Sequence, residues 1–349
     1  MIQNLVSACG CASFKKIYKM NIQALKKIKN QLVPALILSC AACHHDSIQT
    51  PSQSQIVIDT SLGRQTISFL VDDKKIPAIL YLPQNITYPI PAMVILHGSG
   101  GLWKNDVVGG DLTPHFDVWA DSLAKIGIAS IFVDSYSPRG IVEFHEVPPP
   151  DNAVVSAEYV RPKDAYAAMQ VLKKISDKNQ KSLIIPNKIG LMGFSHGGTT
   201  TISSLADANK MTTHTNWTEL NNGVSYSCPS PVNHSKFGDF SFGIAYYPGT
   251  AMYHYYGNIE DETCIYINYA PLLILAGGLD PLYTNGEPDF LVRRTRANGA
   301  SSNSNNEIEL QAFPNAAHSF DEALSGSGFD ACLSARKIAI KYIKKKFGI

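Results

Sequence analysis

From Gln65 onward, short apolar runs alternate with segments of helical period. QTISFLVDD (65–73) and IPAILYLP (76–83) predict an opening antiparallel pair of strands. PAMVILHG (91–98) is a continuous apolar run closed by glycine, the pattern of a buried parallel strand. ASIFVDS (129–135), NKIGLMGFS (187–195), FSFGIAYYP (240–248), APLLILAGGLD (270–280) and EIELQAF (307–313) read the same way. VWADSLAKIG (118–127) and PKDAYAAMQVLKKIS (162–176) predict helices between them, the second with Ala165, Ala168, Met169, Leu172 and Ile175 on one face. DACLSARKIAIKYIKKKF (330–347) predicts a last helix, its terminal lysines suited to a helix C-terminus. Strands alternating with helices imply an α/β chain with a doubly wound, mostly parallel sheet and helices on both faces. Ligands then bind outside the carboxyl ends of the strands. Two polar stretches break the rhythm. Residues 209–238 read as a lid or as an irregular surface excursion, and 298–306 as a plain loop.

The first fifty residues are of another kind. Lys26, Lys27 and Lys29 precede an apolar run from Leu32 to Cys43, too short to span a bilayer as a helix. A basic segment, a short apolar core and small residues after it describe an export signal over 1–43. That signal is complete from Met20. Leu36-Ile37-Leu38-Ser39-Cys40 resembles a bacterial lipobox, which predicts a lipid on Cys40 and attachment to a membrane, with Cys43 as a second candidate; the alternatives are simple cleavage near Ala42 or an uncleaved membrane-proximal segment. A polar linker (44–55) follows, and 56–349 is the remaining domain. Export places that domain in an oxidising compartment, periplasmic or at a membrane surface. Beyond the signal, Cys228 and Cys264 lie in loop-like text and could pair, whereas Cys332 lies in a helical pattern and reads as a core residue. Composition is ordinary for a globular chain, 45% hydrophobic and 17% charged. With a net charge of +1 no bulk field favours nucleic acid. No Cys or His spacing suggests a metal, and no cofactor is implied.

The chemistry centres on GFSHGG (193–198). Ser195 falls between a predicted strand and the helical HGGTTTISSLA, the context of a G-x-S-x-G elbow that lifts a serine hydroxyl above a sheet edge. A free serine is a poor nucleophile and needs a base and an orienting acid. Asp280 follows one strand and His318 the next, both on the edge that carries Ser195 and in the order Ser, Asp, His. Each alone has a bland reading: a glycine–serine turn, a turn-forming Asp before Pro281, and a capping histidine. Together they predict a catalytic triad. An oxyanion hole needs two backbone N–H groups. His196 is the first candidate; Ser99, with Gly98 second to it, is the other, from His97-Gly98-Ser99-Gly100-Gly101. His97 itself reads as a residue that fixes this loop. Trp103, Tyr246, Tyr247 and the run Tyr253-His254-Tyr255-Tyr256 are aromatics of the kind that more often fill a core than line a pocket.

HGSGG (97–101), VDSYSPRG (133–140), RPKDAYAAM (161–169), GFSHGG (193–198), AYYPG (245–249), LAGGLDPLYT (275–284) and FPNAAHSFD (313–321) together resemble the dienelactone hydrolase family of α/β-hydrolases, in an exported branch. The resemblance covers about 56–349 and implies the α/β-hydrolase fold. It departs in two places. Dienelactone hydrolase proper carries a cysteine nucleophile where this chain has Ser195, and a glutamate where it has Gly98. Lactone specificity therefore does not carry over. The resemblance also implies that Arg139 receives a substrate carboxylate; the alternative is an Arg139 held by Asp134 or Asp164. The combined expectation is an exported serine hydrolase acting on a small-molecule carboxylic ester through an acyl-enzyme. The rivals are a peptidase or acyltransferase with the same triad, and a surface lipoprotein that binds a ligand without turnover.

Overall fold

A computed structural model describes residues 56–142, 155–211, 216–221, 224–229, 232–250, 264, 266–299, 307–323, 325 and 327–349. The signal region with Cys40, the linker and the run 253–256 lie outside the described residues.

In chain order the elements are β1 (Ile56–Val57), β2 (Arg64–Val71), β3 (Lys74–Tyr81), β4 (Ile90–Leu96), α1 (Pro114–Ala124), β5 (Ala129–Val133), α2 (Arg161–Lys174), β6 (Ile175–Ser176) and β7 (Ile184–Phe194). Then come α3 (His196–Ser204), β8 (Asn216–Asn221), β9 (Val224–Pro229), β10 (Gly243–Tyr246), β11 (Leu272–Gly277), α4 (Pro281–Thr284), α5 (Glu287–Ala297), β12 (Ile308–Phe313) and α6 (Ser327–Phe347). An eight-stranded sheet has the order β12-β11-β10-β7-β4-β5-β3-β2. From β12 to β5 every pairing is parallel, whereas β3 runs antiparallel to both β5 and β2. The opening antiparallel pair is thus the β2–β3 hairpin at one edge.

Burial on both faces explains the uninterrupted apolar runs. Along β4, Ala92, Val94 and Leu96 join one core, and Met93 and Ile95 the other. The first core takes Ala165, Met169 and Leu172 of α2 with Ile202 of α3; the second takes Phe116 and Trp119 of α1 with Ala335, Ala339 and Ile343 of α6. Each core is sealed by the apolar stripe of its helices, and burial on this scale is the main favourable term in folding.

One expectation needs correction, and two elements were not anticipated. The stretch 209–238 is not simply irregular: it holds the antiparallel hairpin β8–β9, with Trp217 opposite Cys228. Cys264 is a buried free thiol, so no bond joins it to Cys228; burial pushes this thiol up to about 11. The helix α5 had no counterpart among the predicted elements, because EPDFLVRRTRA carries too few apolar residues to stand out. Cys332 is a buried free thiol in α6.

Candidate active site

The β7–α3 junction is shaped by its glycines. A Cβ on Gly193 would meet Gly197 O at 2.0 Å, one on Gly197 would meet Leu96 O at 2.4 Å, and one on Gly198 would meet Tyr246 O at 2.7 Å. All three are backbone contacts, so only a bare Cα lets α3 start this close to the sheet. Ser195, between them, takes φ 49° and ψ −114°. A non-glycine residue there is strained, and such strain persists only where the surroundings over-determine it. Here the restraints are the glycine contacts and the Ser195 N–H bond to Tyr246 O at 2.9 Å.

The turn brings Ser195 Oγ to 2.9 Å from His318 Nε2. His318 Nδ1 lies 2.7 Å from Asp280 Oδ2. Asp280 is buried at 1% exposure and its Oδ1 accepts the Leu282 N–H at 2.9 Å, which caps α4. Its carboxylate thus has fixed partners on both oxygens. The Nδ1 contact makes that nitrogen the proton carrier and leaves the Nε2 lone pair facing the serine. The imidazole is held edge-on by Tyr247, ring centroids 4.8 Å apart. The three residues predicted at separate strand ends are therefore within hydrogen-bonding reach of one another.

The loop after β4 lies against the serine: a Cβ on Gly98 would sit 3.4 Å from Ser195 Cβ. His97, fully buried, fixes this loop. Its Nε2 receives the Ser135 N–H at 3.2 Å, so Nδ1 carries the proton and donates it to Gly98 O at 2.7 Å. Burial, with Arg161 nearby, holds the His97 pKa well below the ordinary range, so the ring is neutral. The carbonyl it holds shares a peptide unit with the Ser99 N–H. His196 opens α3, whose N-terminus carries partial positive charge. His196 is half-buried, desolvation with Arg161 nearby keeps its ring neutral, and Nδ1 is met by Tyr136 Oη at 2.7 Å and Arg161 Nη1 at 2.9 Å. Arg161 and Tyr136 were not singled out from the sequence; an arginine at a helix start reads as solvated.

Arg139 does not present an open fork to a ligand. Its guanidinium is 5% exposed and binds Asp164 through both amino nitrogens, at 2.8 and 2.9 Å, and Ser135 O at 2.6 Å. This is the Asp164-held alternative, and it corrects the expectation of a substrate-carboxylate site. Arg139→Met leaves Asp164 buried without its partner and is expected to lower stability by about 3 kcal/mol or more, read by chemical denaturation. KM for a carboxylate-bearing ester should stay unchanged relative to a neutral one.

Tyr246 and Tyr247 are buried, and Trp103 is 5% exposed and donates to Asp134 Oδ2 at 2.6 Å; all three are core or loop architecture. Behind Tyr247 lies Asp321, which accepts its hydroxyl. Burial pushes the Asp321 carboxyl up to about 7, against the Tyr247 hydrogen bond and Arg336 of α6. A carboxyl raised in the fold binds its proton more tightly there than in the unfolded chain. The contribution of this carboxyl to stability therefore falls as pH rises from about 4 to about 7 and levels off above. Asp321→Asn keeps an acceptor for Tyr247 and lacks this dependence. Its stability relative to wild type should rise across that window by up to about 1.4 kcal/mol per pH unit, checked by melting at pH 4.5 and 8.

A surface cleft of about 420 Å³ adjoins the site, lined by Leu279, His318, Phe320 and Glu322 among others. A larger one, about 550 Å³, lies between α5 and β12 and touches none of the three residues. Volume alone does not choose between them; only the first opens on the reactive side chains.

No protein-family model matches the sequence, and no curated protein is similar to it in sequence. Solved structures are similar in fold. One named as a dienelactone hydrolase from Klebsiella pneumoniae superposes with a TM-score of 0.53 at 15% identity, covering 80% of this chain and 97% of its own. Native esterase 2 of Thermogutta terrifontis gives 0.51 at 16% identity over 84% and 95%. The same esterase phosphorylated by paraoxon gives 0.51 at 17% over 81% and 94%. At such identities the likeness carries the fold and no finer statement. With its mostly parallel sheet, helices on both faces and these relatives in shape, the chain has the α/β-hydrolase fold.

Proposed function

We propose that this protein hydrolyses carboxylic esters through an acyl-enzyme on Ser195. The observation that carries the reading is the continuous chain from Ser195 Oγ to His318 to the buried Asp280. Ser195 Oγ attacks the ester carbonyl while His318 Nε2 takes its proton. The tetrahedral intermediate holds its negative charge against the N–H groups of His196 and Ser99, with Gly98 as the second choice for the latter. Its collapse breaks the bond to the alkoxy oxygen, which leaves as the alcohol with the proton from His318. Water then attacks the acyl group, gives its proton to His318, and the acid departs as that proton returns to Ser195. Asp280 holds the imidazole tautomer and stabilises the imidazolium. The likeness in fold to esterases supports the choice of ester over amide. No step draws on a metal or cofactor.

The sequence alone supports the remaining proposals: an exported chain, a lipid on Cys40 and one catalytic domain over 56–349. Hydrolysis of a chain-length series of p-nitrophenyl esters by the full chain tests the function. Turnover that varies with acyl length supports it. Absence of turnover by folded protein across the series, with no labelling of Ser195 by paraoxon, would favour the binding-protein rival.

A further inference from the structure

We propose that Arg161 is a positioning residue that sets both halves of the oxyanion hole at once, an inference that rests on the ester-hydrolase reading. Arg161 opens α2 and is fully buried. Its Nη1 donates to His196 Nδ1 at 2.9 Å and its Nη2 to His97 O at 2.7 Å. The two acceptors belong to the two segments that supply the hole. His196 carries one N–H. The His97 carbonyl shares a planar peptide with the Gly98 N–H, and the His97 ring in turn holds the peptide of the Ser99 N–H. A guanidinium is a rigid planar fork, so one side chain fixes the spacing between the start of α3 and the loop after β4. A lysine, with a single nitrogen, has no such fixed pair of donors.

The charge has a second effect. Arg161 remains protonated when buried, and among the described residues its hydrogen bonds go to neutral acceptors. Asp164 and Asp134 act on it only across space, and the Tyr136 ring lies 5.1 Å from its Cζ. A buried cation incompletely neutralised, hydrogen-bonded to the carbonyl of the peptide that carries the Gly98 N–H and to the His196 ring, favours negative charge at the N–H groups of these two segments. A plain structural clamp would be expressed in stability alone. A positioning role is expressed in the transition state, where the oxyanion exists, and not in ground-state binding.

The test compares the full-length wild type with Arg161→Met and Arg161→Lys, with Ser195→Ala alongside. Arg161→Met is expected to lower kcat for a p-nitrophenyl ester by about 100-fold, with KM within about threefold of wild type. Affinity for phenylboronic acid, whose adduct on a serine is a tetrahedral anion, should fall in proportion to kcat/KM. Arg161→Lys, which keeps the charge without the fork, should fall between the two. It carries the test if Arg161→Met does not fold. A kcat within about threefold of wild type in the folded variant, or a loss confined to KM or melting temperature, would overturn the proposal. Turnover that persists in Ser195→Ala overturns the hydrolase reading itself, whatever the Arg161 variants do. Turnover lost in Ser195→Ala but kept by the Arg161 variants overturns only the role of Arg161.

Discussion

Ser195→Ala should lower kcat for ester hydrolysis by about 10⁵- to 10⁶-fold, equivalent to about 7–8 kcal/mol of barrier, with KM little changed. The alanine removes the atom that forms the covalent bond. It leaves the N–H donors of His196 and Ser99, and whatever activity persists comes from these and from water attacking directly. The fold should be unaffected, because the lost hydroxyl is bonded to a partly exposed imidazole, His318 being 34% exposed. Melting temperatures of the two proteins should agree while their rates differ by orders of magnitude. A parallel drop in both would mean that the serine holds the elbow together rather than acting from it.

Gly193→Ala should lower stability and activity together. Its Cβ would stand 2.0 Å from Gly197 O, 2.3 Å from Gly197 C and 2.7 Å from Thr201 Oγ1. The first two are backbone atoms at the start of α3, so relief requires moving the helix off the sheet. That costs about 3 kcal/mol or more, seen as a melting temperature lower by roughly 6–12 °C for a domain of this size. Activity should be lost as well, since α3 carries His196. Gly100→Ala is the control for stability: its Cβ would meet nothing within 4 Å, and its effect should lie within about 0.5 kcal/mol.

The elbow was visible because a strand run, a small-residue motif and a helix follow one another without a gap in 187–206. Asp280 and His318 were visible because each stands just past a strand pattern, continuous and apolar before Asp280 and alternating before His318, and a parallel sheet places all such positions on one edge. Arg161 was not visible. Its partners His97 and His196 lie 64 and 35 residues away, and nothing local marks a buried cation. For Arg139 the reading of a side chain held by a local carboxylate was already the stronger one, and the packing of α2 names that carboxylate as Asp164. The hairpin β8–β9 escaped because NWTELN and VSYSCP are polar strands that pair with each other and not with the main sheet. Cys228 and Cys264 were linked only because both lie in loop-like text, and that says nothing about distance.

The central claim is that Ser195 becomes acylated with His318 as its base. The most direct measurement mixes the full chain with excess p-nitrophenyl acetate, quenches in acid within one turnover, and maps the modified peptide by mass spectrometry. The account predicts one acetyl group per molecule on the peptide containing Ser195, a matching burst of p-nitrophenol, and neither in His318→Ala. An acetyl group on any other residue, or an undiminished burst in Ser195→Ala, would contradict it.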